Sequence, residues 1–180
     1  MLGVARLQEV VVGEAEVKVR ALGASDGFAA VTVINTAAKW YAEFLAPSEV
    51  DEPEITLASW AEEARRITWY GAFEGVDLVG VMGLEYAGDA VLFRHAYVLP
   101  HRQRQGIAAM LHGHLEREVH GVDRIIVGTY AANYKASNAL EKAGYQPSPD
   151  SEAVLRRYYD IPEDRLKSSV TYEKRLDRER

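Results

Sequence analysis

The spacing of apolar and polar positions changes several times along the chain, and each change marks an element. Val10-Val11-Val12 reads as a short strand and Gly13-Glu14 as a turn. From Ala15 to Ala21 the apolar residues alternate (Val17, Val19, Ala21), as in a strand with one buried face. Ser25 or Asp26 then stands as an N-cap, and Ala30, Val31, Val33, Ile34, Ala37, Ala38 and Tyr41 follow at helical spacing. Pro47 and Pro53 bracket an acidic run of Glu49, Asp51, Glu52 and Glu54, which reads as a solvated loop or as a run that steers a cationic amine. Thr56 is placed to cap a second helix reaching Arg66, within which Ser59 and Glu62 have capping-box spacing.

Strand periodicity takes over at Thr68. Thr68 to Phe73, a turn at Glu74-Gly75-Val76-Asp77, and Leu78 to Tyr86 predict a hairpin. Ala87-Gly88-Asp89 is a second turn, and Val91 to Leu99 a strand stopped by Pro100. Ile107, Met110, Leu111, Leu115 and Val119 form a helical stripe, and Arg124 to Thr129 an apolar strand. Asn133 to Ala143 predicts a helix closed by Gly144, and Ser168 to Leu176 a last strand. The order β-α-α-β-β-β-α-β-α-β predicts an α/β fold, a mixed sheet with helices on both faces.

Composition narrows the function classes. The 180 residues suffice for one domain with a core, and 48% apolar with 27% charged residues excludes a disordered chain. A net charge of −6 argues against a general nucleic-acid binder and leaves cationic small molecules as partners. With no cysteine there is no disulfide framework, thiolate metal site or Cys nucleophile, and no metal-ligand cluster is visible. His112 and His114, two apart on a helix, read as surface residues. No apolar run approaches membrane-spanning length and no signal-peptide core is visible, so a cytoplasmic protein without membrane contact is expected.

The most informative segment runs from Val98 through Pro100, Gln103, Arg104, Gln105 and Gly106 to Ile107 and Ala108, where a strand enters a short loop and the loop a helix. The first N–H groups of such a helix lack intrahelical partners and carry the positive end of its dipole, so an anion is favoured there. Gly106 lets the backbone approach a diphosphate closely, and Ala108 keeps the next contact small. The P-loop and the dinucleotide fingerprint do not fit.

Gln103-x-x-Gly106-x-Ala108 resembles the pyrophosphate motif of the GNAT acetyltransferases, and Arg94 to Leu111 resembles that family's strand four and helix three. Asn133-x-x-Ala136 followed by Glu141-Lys142-Ala143-Gly144-Tyr145 is similar to a second family segment downstream. The resemblance spans roughly Glu16 to Leu176. It implies a GNAT fold over residues 16–180, behind an N-terminal extension of residues 1–15. In that fold a mostly antiparallel sheet is flanked by about four helices, and strands four and five splay apart.

The resemblance also implies acetyl-CoA as cosubstrate, with Val98, Leu99, Gln103, Arg104, Gln105, Gly106, Ile107, Ala108 and Asn133 as cofactor-binding residues. The implied reaction is direct attack of a small-molecule or peptide amine on the bound thioester. Strand amides near Val98 and Leu99 would stabilise charge on the acetyl oxygen.

The family's usual acid and base positions are altered. Its strand-four base positions are Leu92 and Arg94 here, its strand-five position is Gly128, and its usual Tyr acid is Leu140. Glu85 and His95 remain as base candidates, and deprotonation through ordered water stays open. By strand parity His95 faces away from Leu92 and Arg94. Tyr134, Tyr145, Tyr158 and Tyr159 remain for the acid, and Glu85 with Tyr134 form the candidate catalytic pair. Arg94 has the parity to face the acceptor cleft and to hold an anionic group of the acceptor. Arg156-Arg157-Tyr158-Tyr159 reads either as a cover over the acceptor site or as a connector. A non-catalytic acetyl-CoA-binding or regulatory domain, transfer of a longer acyl group, and a homodimer stay open.

Overall fold

Two tight turns build the first half of the sheet. In the computed structural model, which describes residues 16–176, β1 (Val17–Ala21) pairs antiparallel with β2 (Ile67–Glu74). Gly75, at φ +61°, turns β2 into β3 (Asp77–Ala87), and Gly88, at φ +63°, turns β3 into β4 (Ala90–Val98). Such left-handed turns suit glycine because it has no Cβ. The chain then crosses over through α3 (Ile107–Glu118) and returns as β5 (Arg124–Tyr130), parallel to β4. β6 (Gln146–Pro147) and β7 (Ser169–Arg175) complete a seven-stranded sheet in the order β1-β2-β3-β4-β5-β7-β6, antiparallel at every step except β4–β5.

Helices cover both faces. On one face Ile107, Leu111 and Leu115 of α3 and Leu140 of α4 (Tyr134–Lys142) pack on Val91, Phe93, Ile125 and Val127. On the other, α1 (Gly27–Ala38) and α2 (Leu57–Glu63) bury Ala30, Ile34, Ala37 and Trp60 against Ile67, Trp69, Val81 and Tyr97. Thr56 caps α2: its hydroxyl accepts from Ser59 N at 3.1 Å, and Ser59 Oγ accepts from Thr56 N at 2.9 Å. Thr56 is thus the expected cap, and its box partner is Ser59.

Two helices beyond the expected four lie between β6 and β7: α5 (Ser151–Tyr158) and α6 (Glu163–Leu166). Asp150 caps α5 by accepting from Ala153 N at 3.0 Å, and Val154 and Tyr158 of that helix pack with Tyr159 on Ala90, Leu92 and Ile126. The helix is short and buries Leu155 while exposing most of its other residues, so its apolar stripe is hard to see in sequence. The Arg156–Tyr159 run is thus the end of a helix seated on the sheet. The expected extension over residues 1–15, with its Val10–Val12 strand, lies outside the described residues.

β4 and β5 pair only from Val91–Ile125 to Phe93–Val127. Just beyond that pairing, β4 bulges: Gly83 faces Arg94 and Val81 faces Tyr97, leaving three steps on β4 against two on β3. His95 takes up the bulge at φ +54°. The extra residue bends the strand away from β5 and opens the gap between them. Among the described residues, no helix is long and apolar enough to cross a membrane.

Candidate active site

The loop after β4 leaves the N-terminus of α3 (Ile107–Glu118) open. Pro100–Arg102 form one 3-10 turn, Arg104 sits at φ +63°, and Gly106 at φ +82° is the N-cap of the twelve-residue α3. The first helical bond runs from Met110 N to Gly106 O at 2.9 Å, so the amides before Met110 have no partner within the helix. A Cβ placed on Gly106 would meet nothing within 4 Å, which leaves the approach to these amides open. Arg104, Gln105 and Gly106 are exposed, Ala108 is half-buried, and Ile107 is buried in the core, so Ile107 offers its backbone alone. The residues fit a diphosphate as acetyl-CoA would present it.

The two expected strand donors separate. Leu99 N donates to Val79 O at 2.9 Å and Leu99 O accepts from Arg102 N at 2.8 Å, so both its backbone groups are spent inside the protein. Strand alternation turns the Val98 groups the other way, toward the gap. There the Gln103 side chain donates from Nε2 to Val98 O at 3.1 Å. Gln103 therefore braces the loop against β4, and Gln105 Nε2 likewise donates to His101 O at 3.2 Å. Asn133, 8% exposed, uses Oδ1 to accept from Ala136 N at 3.2 Å. Its side chain caps α4, which satisfies an otherwise orphaned amide.

The acceptor face differs from the expectation in four respects. First, the bulge breaks the parity of β4. His95 lies on the face of Leu92 and Arg94, opposite Phe93, its ring stacked 5.2 Å from Trp69 and its Nε2 3.0 Å from Glu63. Burial works to raise the Glu63 carboxyl, and the His95 and arginine charges beside it outweigh that, leaving it lowered.

Second, Arg94 does not stand open. Its Nη1 donates to Glu85 Oε2 at 2.8 Å, while Arg66 Nη1 donates to Glu85 Oε1 at 2.6 Å. Glu85, 13% exposed, thus has each oxygen on a guanidinium and serves to hold two arginines. Tyr159 lies beside the same group, with the Arg94 guanidinium 5.4 Å from its ring centre. Burial pushes the Tyr159 phenol up, against the pull of Arg94. A Cβ on Gly128 would come within 3.2 Å of that ring, so the glycine at the family's strand-five carboxylate position makes room for Tyr159.

Third, Tyr134 is 59% exposed, its ring edge against Trp40 at 5.8 Å on the rim. Leu140, at the usual acid position, is 3% exposed within the core on the α3 side. Of the other tyrosines, Tyr145 bonds Glu116 at 3.1 Å and Tyr158 bonds Asp89 at 2.6 Å. His112, expected at the surface, packs between Phe93 and Tyr145, and burial pulls its imidazole down to about 4.

Fourth, the run read as a solvated loop sends one carboxylate inward. Glu54 Oε1 accepts from Tyr97 Oη at 2.9 Å, and Tyr97 Oη accepts from Tyr41 Oη at 3.1 Å. Asn35 on α1 anchors the next residue, donating to Ile55 O at 2.9 Å and accepting from Ile55 N at 3.0 Å. The sequence signal was the isolated apolar Ile55 straight after the acidic run: a buried residue draws its neighbour in with it.

A model of the acetyltransferase (GNAT) family matches residues 34–145, more than half of the chain. Among curated proteins, none matches in sequence. Solved structures share the fold. A PaiA N-acetyltransferase from Thermoplasma acidophilum, in complex with coenzyme A, is 17% identical at a TM-score of 0.70, over 89% of this chain and 99% of that one. An acetyltransferase from Thermus thermophilus is 15% identical at 0.68, over 89% and 97%. A ribosomal-protein-alanine N-acetyltransferase from Escherichia coli is 16% identical at 0.66, over 91% and 96%. The segment that this family model spans runs from the middle of α1 through the splayed strands to Tyr145, and the chain belongs to the GNAT acetyltransferase family.

Proposed function

We propose that the protein transfers an acetyl group from acetyl-CoA to the primary amine of a small-molecule or peptide acceptor. The observation that carries this reading is the cradle itself: a strand gap opened by a bulge, leading into a loop whose left-handed Gly106 starts α3. Acetyl-CoA supplies an activated thioester. The amides from Arg104 to Ala108 would hold its diphosphate, and the Val98 backbone, braced by Gln103, would align the pantetheine arm along β4. The Thermoplasma protein's complex with coenzyme A, on a shared fold, supports the same cosubstrate.

Acetyl-CoA should raise the melting temperature, because a ligand that binds only the folded state stabilises it by RT ln(1 + [L]/Kd). Gly106→Glu places a negative side chain in the open cradle and should abolish that shift. Gly106→Asn, which tolerates the left-handed backbone, should fold as well as the parent and keep part of it. A folded Gly106→Glu protein with a full acetyl-CoA shift would refute the assignment. The transfer itself is read by release of the CoA thiol on adding amines.

A further inference from the structure

We propose that the acceptor is a cationic amine with no anionic group beside it, and that Glu54 receives its ammonium and takes its proton. This rests on the acetyltransferase reading and adds the substrate class and the base.

The α1 end and the following 3-10 turn (Lys39–Glu43) bring Tyr41 across both lips of the strand gap. Its ring centre is 6.1 Å from Tyr97 on β4 and 5.4 Å from Tyr130 at the end of β5. Phe44 joins it at 5.8 Å from Tyr41 and 6.4 Å from Tyr130. An aromatic wall therefore lines the mouth, and aromatic faces attract cations. On its rim an ammonium already rests on a ring, the Lys135 Nζ 3.3 Å from the centre of Trp40.

The charge at this wall is Glu54. The hydrogen bonds run from Tyr41 through Tyr97 to its Oε1, and among the described residues no other donor reaches the carboxylate. The charged groups that bear on it are His95, beside Tyr97, and the pair Asp51–Arg165, closed at 2.9 Å. Glu49 also bears on Tyr130, so the carboxylates of Glu49, Asp51 and Glu54 outnumber the one arginine. Burial raises the Glu54 carboxyl, partly offset by the Tyr97 hydrogen bond and by His95. A carboxylate with raised proton affinity suits a general base. The cations on the same face are already matched by carboxylates: Arg66 and Arg94 share Glu85, and Glu63 lies 4.0 Å from Arg66 and 3.0 Å from His95.

Glu54 takes one proton from R–NH3+. The nitrogen bonds the acetyl carbon as the carbon–sulfur bond breaks. The second nitrogen proton ends on the departing thiolate, and Glu54 returns the first to solvent.

The test uses matched probes with coenzyme A bound, so that nothing turns over: phenethylamine against phenylalanine, and pentylamine against norleucine, followed by saturation-transfer NMR. The wild-type chain should bind an amine of either pair more tightly than its amino acid. Glu54→Gln should weaken the amine by about 10- to 100-fold, the loss of a charged hydrogen bond, with coenzyme A affinity unchanged. In turnover, Glu54→Gln should remove the acidic limb of kcat/KM. Tyr97→Phe should move that limb to higher pH, since the Tyr97 bond favours the ionised carboxylate. Preference for the amino acids, no binding of either amine, or an unchanged Glu54→Gln protein would overturn the proposal. Failure of coenzyme A to bind would instead strike the acetyltransferase reading.

Discussion

Arg94 and Glu85 are joined at 2.8 Å, and the second oxygen of Glu85 is taken by Arg66. Arg94, the expected substrate anchor, is thereby held by a carboxylate of the neighbouring strand. Removing Glu85 takes a partner from both guanidinium groups, Arg94 part-buried and Arg66 about half exposed, so Glu85→Ala should destabilise by about 2 kcal/mol in chemical denaturation. Arg94→Met should cost less, about 1.5 kcal/mol, because Glu85 keeps Arg66. Their double mutant should fall short of the sum. A selective rise in KM for anionic acceptors in Arg94→Met would show that the arginine contacts substrate after all.

Leu140→Tyr tests the vacant acid position. If this were a free site beside the sulfur, the tyrosine would raise turnover and steepen its loss at high pH. Leu140 is packed inside the core on the α3 side, however. The larger ring should overpack it and cost about 1–3 kcal/mol of stability, without a gain in rate. Denaturant midpoints and thiol-release rates on the same preparation decide the matter.

Asn133→Ala separates capping from cofactor contact. Loss of the bond to Ala136 N should cost about 1 kcal/mol. The affinity for acetyl-CoA, measured by calorimetry, should stay within about twofold of the parent, well short of the loss of a charged hydrogen bond. A tenfold loss at unchanged stability would show that Asn133 contacts the cofactor as expected from the sequence.

His112 makes stability depend on pH. Its imidazole titrates near 4 in the folded protein and near 6.5 when exposed. Between these values the unfolded chain binds a proton that the native protein does not. Stability should therefore be full above pH 6.5, fall as the pH drops toward 4, and level off below it. The most this residue can contribute is on the order of 3 kcal/mol. In His112→Phe that part of the pH dependence should disappear from urea titrations.

Local periodicity, turn residues and caps are properties of neighbouring positions. The sequence alone therefore determined β1–β5, β7, α1–α4 and the strand–loop–helix cradle at Gly106. What it left undecided depends on partners far along the chain. The bulge at His95 arises from how β4 registers on β3, and it reversed the face expected of His95. Tyr159 fills the space over Gly128 because the short α5 docks on Leu92 and Ile126. Glu85 became a clamp because strand pairing set it beside Arg94 and near Arg66. Glu54 turned inward toward Tyr97, 43 positions away, because Asn35 tethers Ile55 and draws the loop onto the sheet. Whether a carboxylate is solvent charge, clamp or base is settled by which groups surround it once the chain is folded, and only the tertiary packing assembles those groups.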